Sequence, residues 1–392
     1  MQRDGLRAAL AYFFPLLISA AVLGALGLVS VRAWAEDEGA KQGVFLCVGV
    51  AAMLAIQAIN YRDLLLISPV LLAGSLLLVA YTVAGRFVAV PLVHSVKGAW
   101  LWIFLGPVSL QPSELVKISL IMVMAWYTKD ESRRAHSFRT MFILVGMLGV
   151  SAGLILMQPD LGTALTLIAP VFALMLLAGV KKRHLAALVA SGLAVTPVLW
   201  FSGTCEWYGG DCPLCPHVRL LDRLPQFVKH YQRARVQAMY SSDPRVLQVA
   251  GYQQERALQA MGSGGLTGKG VGNIPAGHGI PEAHTDMVIA LIGEQFGLLG
   301  VAIVLCAYGL LIGTTAAVAG ITRDFAGRSL VVGIATLLVG QAVLNLAVAL
   351  RLLPVTGVTL PFVSYGGSSL VASFVAIGLI ANVAKNQRKG MF

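Results

Sequence analysis

The sequence predicts an all-α polytopic membrane protein with about ten transmembrane helices, forming a single integral-membrane domain over residues 1–392. The composition is 57% apolar and only 12% charged, with a mean hydropathy of +0.78, whereas soluble domains are about a quarter charged. Apolar runs of about 18 to 24 residues recur along the chain, enough to cross a hydrocarbon core of about 30 Å. The predicted spans lie near residues 8–31, 43–60, 64–84, 111–127, 140–157, 161–180, 184–202, 287–318, 329–350 and 362–384.

The distribution of Lys and Arg predicts the orientation of these spans. Basic residues concentrate in alternate loops, which is the pattern of the positive-inside bias. We therefore expect both termini to be cytoplasmic, and residues 203–285 to form one large extracytoplasmic loop between the seventh and eighth spans. The net charge of +11 follows from this loop pattern, so nucleic acid is not an expected partner. The basic loops contain Arg3 and Arg7, Arg62, residues 129–139, residues 181–183, Arg323 and Arg328, and residues 385–389.

Three cysteines, Cys205, Cys212 and Cys215, lie close together in the predicted outer loop. An oxidising compartment favours a disulfide among them. A metal site that also uses His217 is the alternative, and the sequence leaves the pairing and purpose of these cysteines open.

Ionisable residues inside predicted spans are functional candidates, because an unpaired charge in the membrane is unfavourable. Glu114 and Lys117 are three residues apart and share a helix face. They form either a neutralised structural pair or the wall of a polar cavity. Asp160 follows Pro159 in the first turn of a helix, where it acts as a cap, lines the cavity, or does both. Glu294 lies inside the eighth span.

The run from residue 280 to 300 places Glu282, His284 and Asp286 directly before the eighth span. Asp286 is therefore expected at the extracytoplasmic mouth of that span. Thr285 or Asp286 as the helix N-cap is the structural alternative. Capping alone requires neither His284 nor Glu282.

Two further segments are polar at predicted membrane depth. Residues 351–370 contain Gly, Pro and hydroxyl residues in an apolar context, and non-helical backbone survives there only when protein covers it or when it lines a wet cavity. Gln341 and Asn345, four residues apart, are expected to form hydrogen bonds between helices. The glycine-rich run 262–270 is not a phosphate loop, but its backbone N–H groups beside Lys269 could bind an anion.

Five motifs in order resemble the SEDS family of polytopic cell-wall proteins, whose members include RodA, FtsW and SpoVE. They are QPSELVKI from Gln111, QPDLGTA from Gln158, GYQQERALQAMGSGGLTGKGVGN from Gly251, PEAHTD from Pro281 and LPVTGVTLPFVSYGGSS from Leu353. The sequence departs from the family at Leu101, where an Arg is usual, and in an apparent insertion over residues 203–216.

The resemblance implies a peptidoglycan glycosyltransferase that acts on lipid II at the outer face of the bacterial cytoplasmic (inner) membrane. It implies that Asp286 is the essential catalytic residue and that Glu114 and Lys117 line the central cavity. Asp160 and Ser364 match other polar cavity positions. It also implies a partner, a class B penicillin-binding protein with transpeptidase activity.

The residues suit this chemistry. Joining sugars from a polyprenyl-diphosphate donor requires a base for the acceptor hydroxyl and positive charge for the departing diphosphate. Asp286 is either that base or a ligand of a divalent cation, Mg or Mn. Lys117 and Lys269 are candidates for binding the anion, and His284 and Glu282 for binding substrate at the rim. The sugar donor is linked to a lipid, and no organic cofactor is expected. Membrane lipids are expected to surround the spans as further partners.

Two other functions suit a membrane protein with a polar cavity. The first is a flippase that carries lipid II across the membrane, although the acidic cluster at Asp286 lies on one face only. The second is a non-catalytic scaffold for the transpeptidase. Within the family, the wording PSELVKI and LPVTG favours RodA, the elongation type, over FtsW, the division type.

Overall fold

The structure is a computed structural model that describes residues 2–96, 98–106, 108–131, 137–202, 230–240 and 251–386. Within these residues, seven helices are long and apolar enough to cross a membrane, so the chain is a multi-pass membrane protein. They are α1 (Gln2–Trp34), α2 (Glu36–Ala55), α3 (Tyr61–Ala84), α5 (Ser137–Met157), α12 (Val288–Ile321), α13 (Phe325–Ala349) and α14 (Gly367–Asn386).

The other three predicted spans coincide with helices that are not among these seven. Two of these helices, α4 (Pro112–Thr128) and α8 (Lys182–Phe201), are continuous. The span predicted at 161–180 is divided at Leu167 into α6 (Leu161–Thr166) and α7 (Ile168–Leu177). The mostly helical fold is confirmed, and the count of ten spans remains a prediction.

Two features differ from the predicted all-α pattern. An antiparallel pair of short strands, β1 (Ile103–Leu105) and β2 (Val108–Leu110), precedes α4. The last span begins at Gly367 rather than near residue 362, because residues 353–366 contain no regular helix or strand. We call residues 353–366 the unwound segment.

The unwound segment is enclosed by helices on several sides. The Tyr308 hydroxyl of α12 donates to the carbonyl oxygen of Pro361 at 2.6 Å. The Gln42 side chain of α2 donates to the carbonyl oxygen of Val363 at 3.0 Å. Phe362 and Val363 are almost completely buried. Of the two alternatives for this non-helical backbone, protein cover is the one observed at Phe362 and Val363, and its carbonyl groups find donors from neighbouring helices.

Part of the predicted outer loop is also helical. It contains α9 (His230–Tyr240), α10 (Tyr252–Ser263) and a short helix α11 (Ala283–Asp286) directly before α12. The cysteines at 205, 212 and 215, His217 and the insertion at 203–216 lie outside the described residues.

α10 is joined to the end of α13. Gln254 is buried and donates to the carbonyl oxygens of Val348 and Leu353 at 2.8 and 2.7 Å. Arg351 pairs with Glu255 at 3.3 Å. The GYQQER motif therefore holds the beginning of the unwound segment, because its polar side chains satisfy carbonyl groups where α13 ends.

Candidate active site

Asp286 is the last residue of the four-residue helix α11. Glu282 precedes this helix in the left-handed region, with φ of 53°. The N-cap of α12 is Met287, and no side chain caps that helix. The N-cap alternative for Thr285 or Asp286 is therefore wrong, because the chain makes an additional helical turn before α12 begins.

The carboxylate of Asp286 faces the unwound segment. A Cβ atom at Gly357 would lie 3.9 Å from Oδ2 of Asp286, and Gly357 itself has a positive φ of 74°. Asp286 is only partly buried, so its carboxylate lies against a backbone turn and retains solvent access.

The backbone around Asp286 is held by two polar side chains. Asn345 of α13, which is 1% exposed, donates from Nδ2 to the carbonyl oxygens of Asp286 and Val358, both at 2.8 Å. The Ser364 hydroxyl donates to the carbonyl oxygen of Thr285 at 2.5 Å. The same Ser364 oxygen accepts from the N–H of Leu360 at 2.8 Å. Ser364 therefore ties the unwound segment to α11 beside Asp286. Asn345 of α13 bonds the backbone of α11, as predicted for a hydrogen bond between helices, and it also bonds the backbone of the unwound segment.

His284 and Glu282 are not placed as the sequence predicted. The His284 ring is buried and stacks on Trp34, with ring centroids 4.0 Å apart. Its Nε2 lies 3.0 Å from Oε2 of Glu38. The Glu282 side chain is exposed. His284 therefore anchors α11 to the first two helices instead of facing a substrate, because Trp34 stacks on its ring and a carboxylate oxygen of Glu38 lies against its Nε2.

Glu114 and Lys117 form the predicted pair in α4, with Nζ and Oε1 2.8 Å apart and both side chains buried. They line a cavity of about 10 Å³ between α4, α13 and α14, to which Gln341 and Ser373 also contribute. This is space for about one water molecule. The ion pair is therefore present in this structure, and the assignment of these residues to a substrate cavity stays a prediction.

Asp160 lies close to this pair. It caps α6 by accepting from the N–H of Thr163 at 3.0 Å, which confirms the capping prediction. Its carboxylate also interacts electrostatically with Lys117 and Glu114, and Oδ2 accepts from the Gln111 side chain at 3.4 Å. Asp160 therefore caps α6 and also places a carboxylate near the Glu114–Lys117 pair.

Two connections join this polar cavity to the Asp286 region. Gln341 and Asn345 lie four residues apart on α13, about one helical turn or 6 Å along its axis. Gln341 lines the cavity, and Asn345 donates to the backbone of Asp286. Gly162 packs so closely on the unwound segment that a Cβ there would overlap the carbonyl oxygen of Thr356. The cavity and Asp286 are therefore linked by short contacts along α13 and through Gly162.

Lys269 lies in a separate cluster. Its ammonium group is 2.6 Å from Oε1 of Glu294, a side chain with no exposure. Glu294 also accepts from the N–H groups of Ala276 and Gly277 at 3.0 and 2.7 Å. Lys269 thus neutralises a buried carboxylate at the point where α12 kinks at Gly297.

The anion-binding interpretation of run 262–270 is not supported by this arrangement. The N–H groups of Gly268, Lys269 and Gly270 donate to carbonyl oxygens at 2.9 to 3.0 Å, two of them on the kinked helix. These donors satisfy the carbonyl groups that the kink leaves without helical partners, so they do not point to an external anion.

No sequence pattern predicted Trp34, Glu38 or Tyr365 as parts of the site. The N–H of Tyr365 donates to the carbonyl oxygen of His284 at 2.9 Å, and its ring lies 5.4 Å from that of His284. Glu36, Asp37 and Glu38 are consecutive in the sequence. Nothing in the spacing of these residues separates Glu38 from the other two acids.

The divalent-cation expectation rests on Asp286 alone. Within the residues that the structure covers, no three His, Cys, Asp or Glu side chains are grouped to hold a metal. Magnesium is commonly bound by one or two carboxylates together with water and substrate phosphates. Asp286, partly exposed beside the unwound segment, fits the role of such a single carboxylate ligand.

Comparison with known proteins places this arrangement in a family. The family described as cell cycle protein (FtsW, RodA, SpoVE) matches residues 7–389. A probable peptidoglycan glycosyltransferase FtsW of Geobacter metallireducens is 33% identical over 89% of this chain and 85% of its own. Stage V sporulation protein E of Bacillus subtilis is 29% identical over 95% and 97%.

Two solved structures have a similar fold. One is described as a peptidoglycan synthase complex that coordinates polymerization and crosslinking; its matching chain has a TM-score of 0.76 and 28% identity, and the match covers 96% of this chain and 98% of that one. The rod shape determining protein RodA of Thermus thermophilus has a TM-score of 0.64 and 28% identity, covering 95% and 96%.

Proposed function

The chain belongs to the FtsW, RodA and SpoVE family and is a peptidoglycan glycosyltransferase, and we propose that it polymerises lipid II at the outer face of the bacterial cytoplasmic membrane. The observation that carries the proposal is Asp286. The backbone that carries this partly exposed carboxylate is bonded by Asn345 and Ser364 beside the unwound segment, and Asn345 lies one helical turn from Gln341, which lines the buried polar cavity.

In this proposal Asp286 acts on the acceptor sugar. Its carboxylate accepts the proton of the attacking hydroxyl as the new glycosidic bond forms and the bond to the donor diphosphate breaks. Two anchors hold the backbone on either side of the carboxylate, so little conformational entropy is lost in reaching the reactive geometry. In the alternative role, Asp286 would hold a divalent cation that supplies positive charge for the departing diphosphate.

The Glu114–Lys117 pair supports this chemistry from inside the bundle. Lys117 is buried, charge-balanced by Glu114 and close to Asp160. We propose that the ammonium group contributes positive potential to the region that receives the diphosphate, while the Glu114 carboxylate offsets its charge in the protein interior. The cavity has room for about one water in this structure, so substrate binding would require it to widen.

The proposed topology has both termini in the cytoplasm and the segment containing α9, α10 and α11 outside. Asp286 then faces the compartment where the glycan accumulates. The proposed partner is a class B penicillin-binding protein that crosslinks the product; the fold match to a peptidoglycan synthase complex supports this pairing.

The proposal also concerns whether the chain acts in cell elongation or in cell division. The PSELVKI and LPVTG motifs favour elongation, whereas the named relatives include FtsW and SpoVE as well as RodA. We propose the elongation role. Depletion that produces round cells would support it, and depletion that produces filaments would assign the chain to division.

The test is polymerisation of labelled lipid II by the purified chain with its cognate transpeptidase and a divalent cation. Asp286→Ala is compared with Asp63→Ala, a matched removal of an exposed aspartate in the first turn of α3. Polymer from wild type and Asp63→Ala but not from Asp286→Ala is the expected result. Equal polymer from all three would remove Asp286 from the chemistry. No polymer from any of them, with the complex intact, would favour the flippase or scaffold alternatives.

A further inference from the structure

The corner between α1 and α2 has a fixed geometry. Only Ala35 lies between the two helices, with an extended backbone (φ −152°, ψ 119°). Gly39 is buried in this corner, and a Cβ there would lie 2.6 Å from Cα of Arg32. The close backbone approach leaves little freedom for the helices to change their angle, so side chains on this corner project in defined directions.

Three acids begin α2, and they have different surroundings. Glu36 is exposed and pairs with exposed Arg32 at 3.1 Å. Asp37 is exposed. Glu38 is half-buried, and its Oε2 lies 3.0 Å from Nε2 of His284. Of these three acids, Glu38 is the one whose carboxylate contacts the helix that carries Asp286.

His284 connects the corner to α11. One face of its ring stacks on Trp34, at 25° between the planes, and its edge meets Glu38. Its carbonyl oxygen accepts from the N–H of Tyr365. The corner and the unwound segment therefore both contact His284, which lies two positions before Asp286.

We infer that Glu38 is a positioning residue for Asp286 and acts through His284, an inference that rests on the proposed function. A four-residue helix is too short to persist through its own hydrogen bonds. Its orientation is therefore set by the groups that hold it. Asn345 and Ser364 hold the carbonyl groups of Asp286 and Thr285, whereas Glu38 and Trp34 fix the rotation of α11 through the His284 ring.

The inference predicts a loss of rate and not of substrate affinity. Without the Glu38 carboxylate, His284 can rotate on Trp34 and α11 can turn with it. A displacement of about 1 Å at a reacting group can lower the rate by about a hundredfold. Because the inference assigns Glu38 an action through His284 and none on the substrate, Glu38→Ala should lower kcat about tenfold or more and change KM by less than about twofold.

The experiment measures kcat and KM for lipid II polymerisation by the full chain with its cognate transpeptidase. Glu38→Ala is compared with Asp37→Ala, an exposed acid in the same helical turn that is expected to match wild type. Glu38→Gln keeps an oxygen that can accept from His284 Nε2, and it should restore most of kcat. Thermal stability is measured for each variant, so that a folding defect is separated from a rate defect.

A double-variant measurement tests the route through His284. In a His284→Ala background, Glu38→Ala should cause no further loss beyond about twofold, because the group through which it acts is absent. Additive losses would overturn the inference, as would wild-type kcat for Glu38→Ala or an equal loss in Asp37→Ala. If Glu38→Ala does not fold, Glu38→Gln decides: kcat near wild type supports the inference, and a loss of tenfold or more overturns it.

Wild type and Asp286→Ala are included to separate the two claims. Absence of polymer from wild type would contradict the proposed function. Polymer from wild type, with none from Asp286→Ala, retains that function whichever way the Glu38 variants behave.

Discussion

Replacement of Asn345 by alanine should disable polymerisation while leaving most of the bundle folded. The Nδ2 group donates to two carbonyl oxygens, those of Asp286 and Val358, at 2.8 Å each. The side chain is 1% exposed, so water does not readily replace it. Loss of a hydrogen-bonded partner from a buried polar group destabilises by about 1–3 kcal/mol. Two such groups give about 2–6 kcal/mol as an upper range, because relaxation recovers part of it.

The same contacts predict the effect on activity. They join Asp286 to the unwound segment, so their loss frees the turn that carries the carboxylate. We expect kcat to fall about tenfold to a hundredfold, with binding to the transpeptidase unchanged. Asn345→Asp has the same shape but lacks the two amide N–H donors, and it should behave like Asn345→Ala.

The measurement is steady-state polymerisation of lipid II together with thermal unfolding. Thr336→Ala is the matched control, because Thr336 is a polar residue of the same helix whose hydroxyl bonds only to carbonyl groups of that helix. Wild-type kcat for Asn345→Ala, despite lowered stability, would refute the reasoning that Asn345 places Asp286.

Three further predictions concern other parts of the site. Lys117→Met should destabilise the chain by about 3–5 kcal/mol because it leaves the Glu114 carboxylate buried without its partner. Adding Glu114→Leu should restore the melting temperature but not polymer formation. Recovery of both would show that the pair is structural. Lys269→Ala should lower the melting temperature, since buried Glu294 loses its counter-charge. The KM for lipid II should stay within about twofold of wild type. A large rise in KM would instead support substrate binding by this lysine. Gly162→Ala should lower both stability and kcat because its new methyl group overlaps the unwound segment, and unchanged values in unfolding and polymerisation assays would contradict that close packing.

Much of the helical framework could be predicted from local sequence. Long apolar runs define membrane helices because the hydrocarbon core sets their length. The Glu114–Lys117 pair was predictable because residues three apart share a helix face. Asp160 as a cap followed from its position after Pro159, since such a carboxylate accepts the first free N–H groups of a helix.

The remaining details depend on contacts between distant parts of the chain. His284 was expected to face substrate, but Trp34 and Glu38 lie about 250 positions earlier in the sequence, and no local pattern links them to it. Lys269 next to glycines resembles an anion loop until the kink in α12 supplies Glu294 as its partner. Asp286 was a candidate N-cap, and only the additional turn of α11 excluded that role.

The central claim, that the Asp286 carboxylate takes part in glycosidic bond formation, is tested most directly with Asp286→Asn. This variant has the same shape and leaves the backbone anchors from Asn345 and Ser364 in place, but it removes the negative charge. Lipid II binding and single-turnover polymerisation are measured on the same purified complex. Binding within about twofold of wild type, with no glycan product, is the predicted result. Product at the wild-type rate would contradict the account.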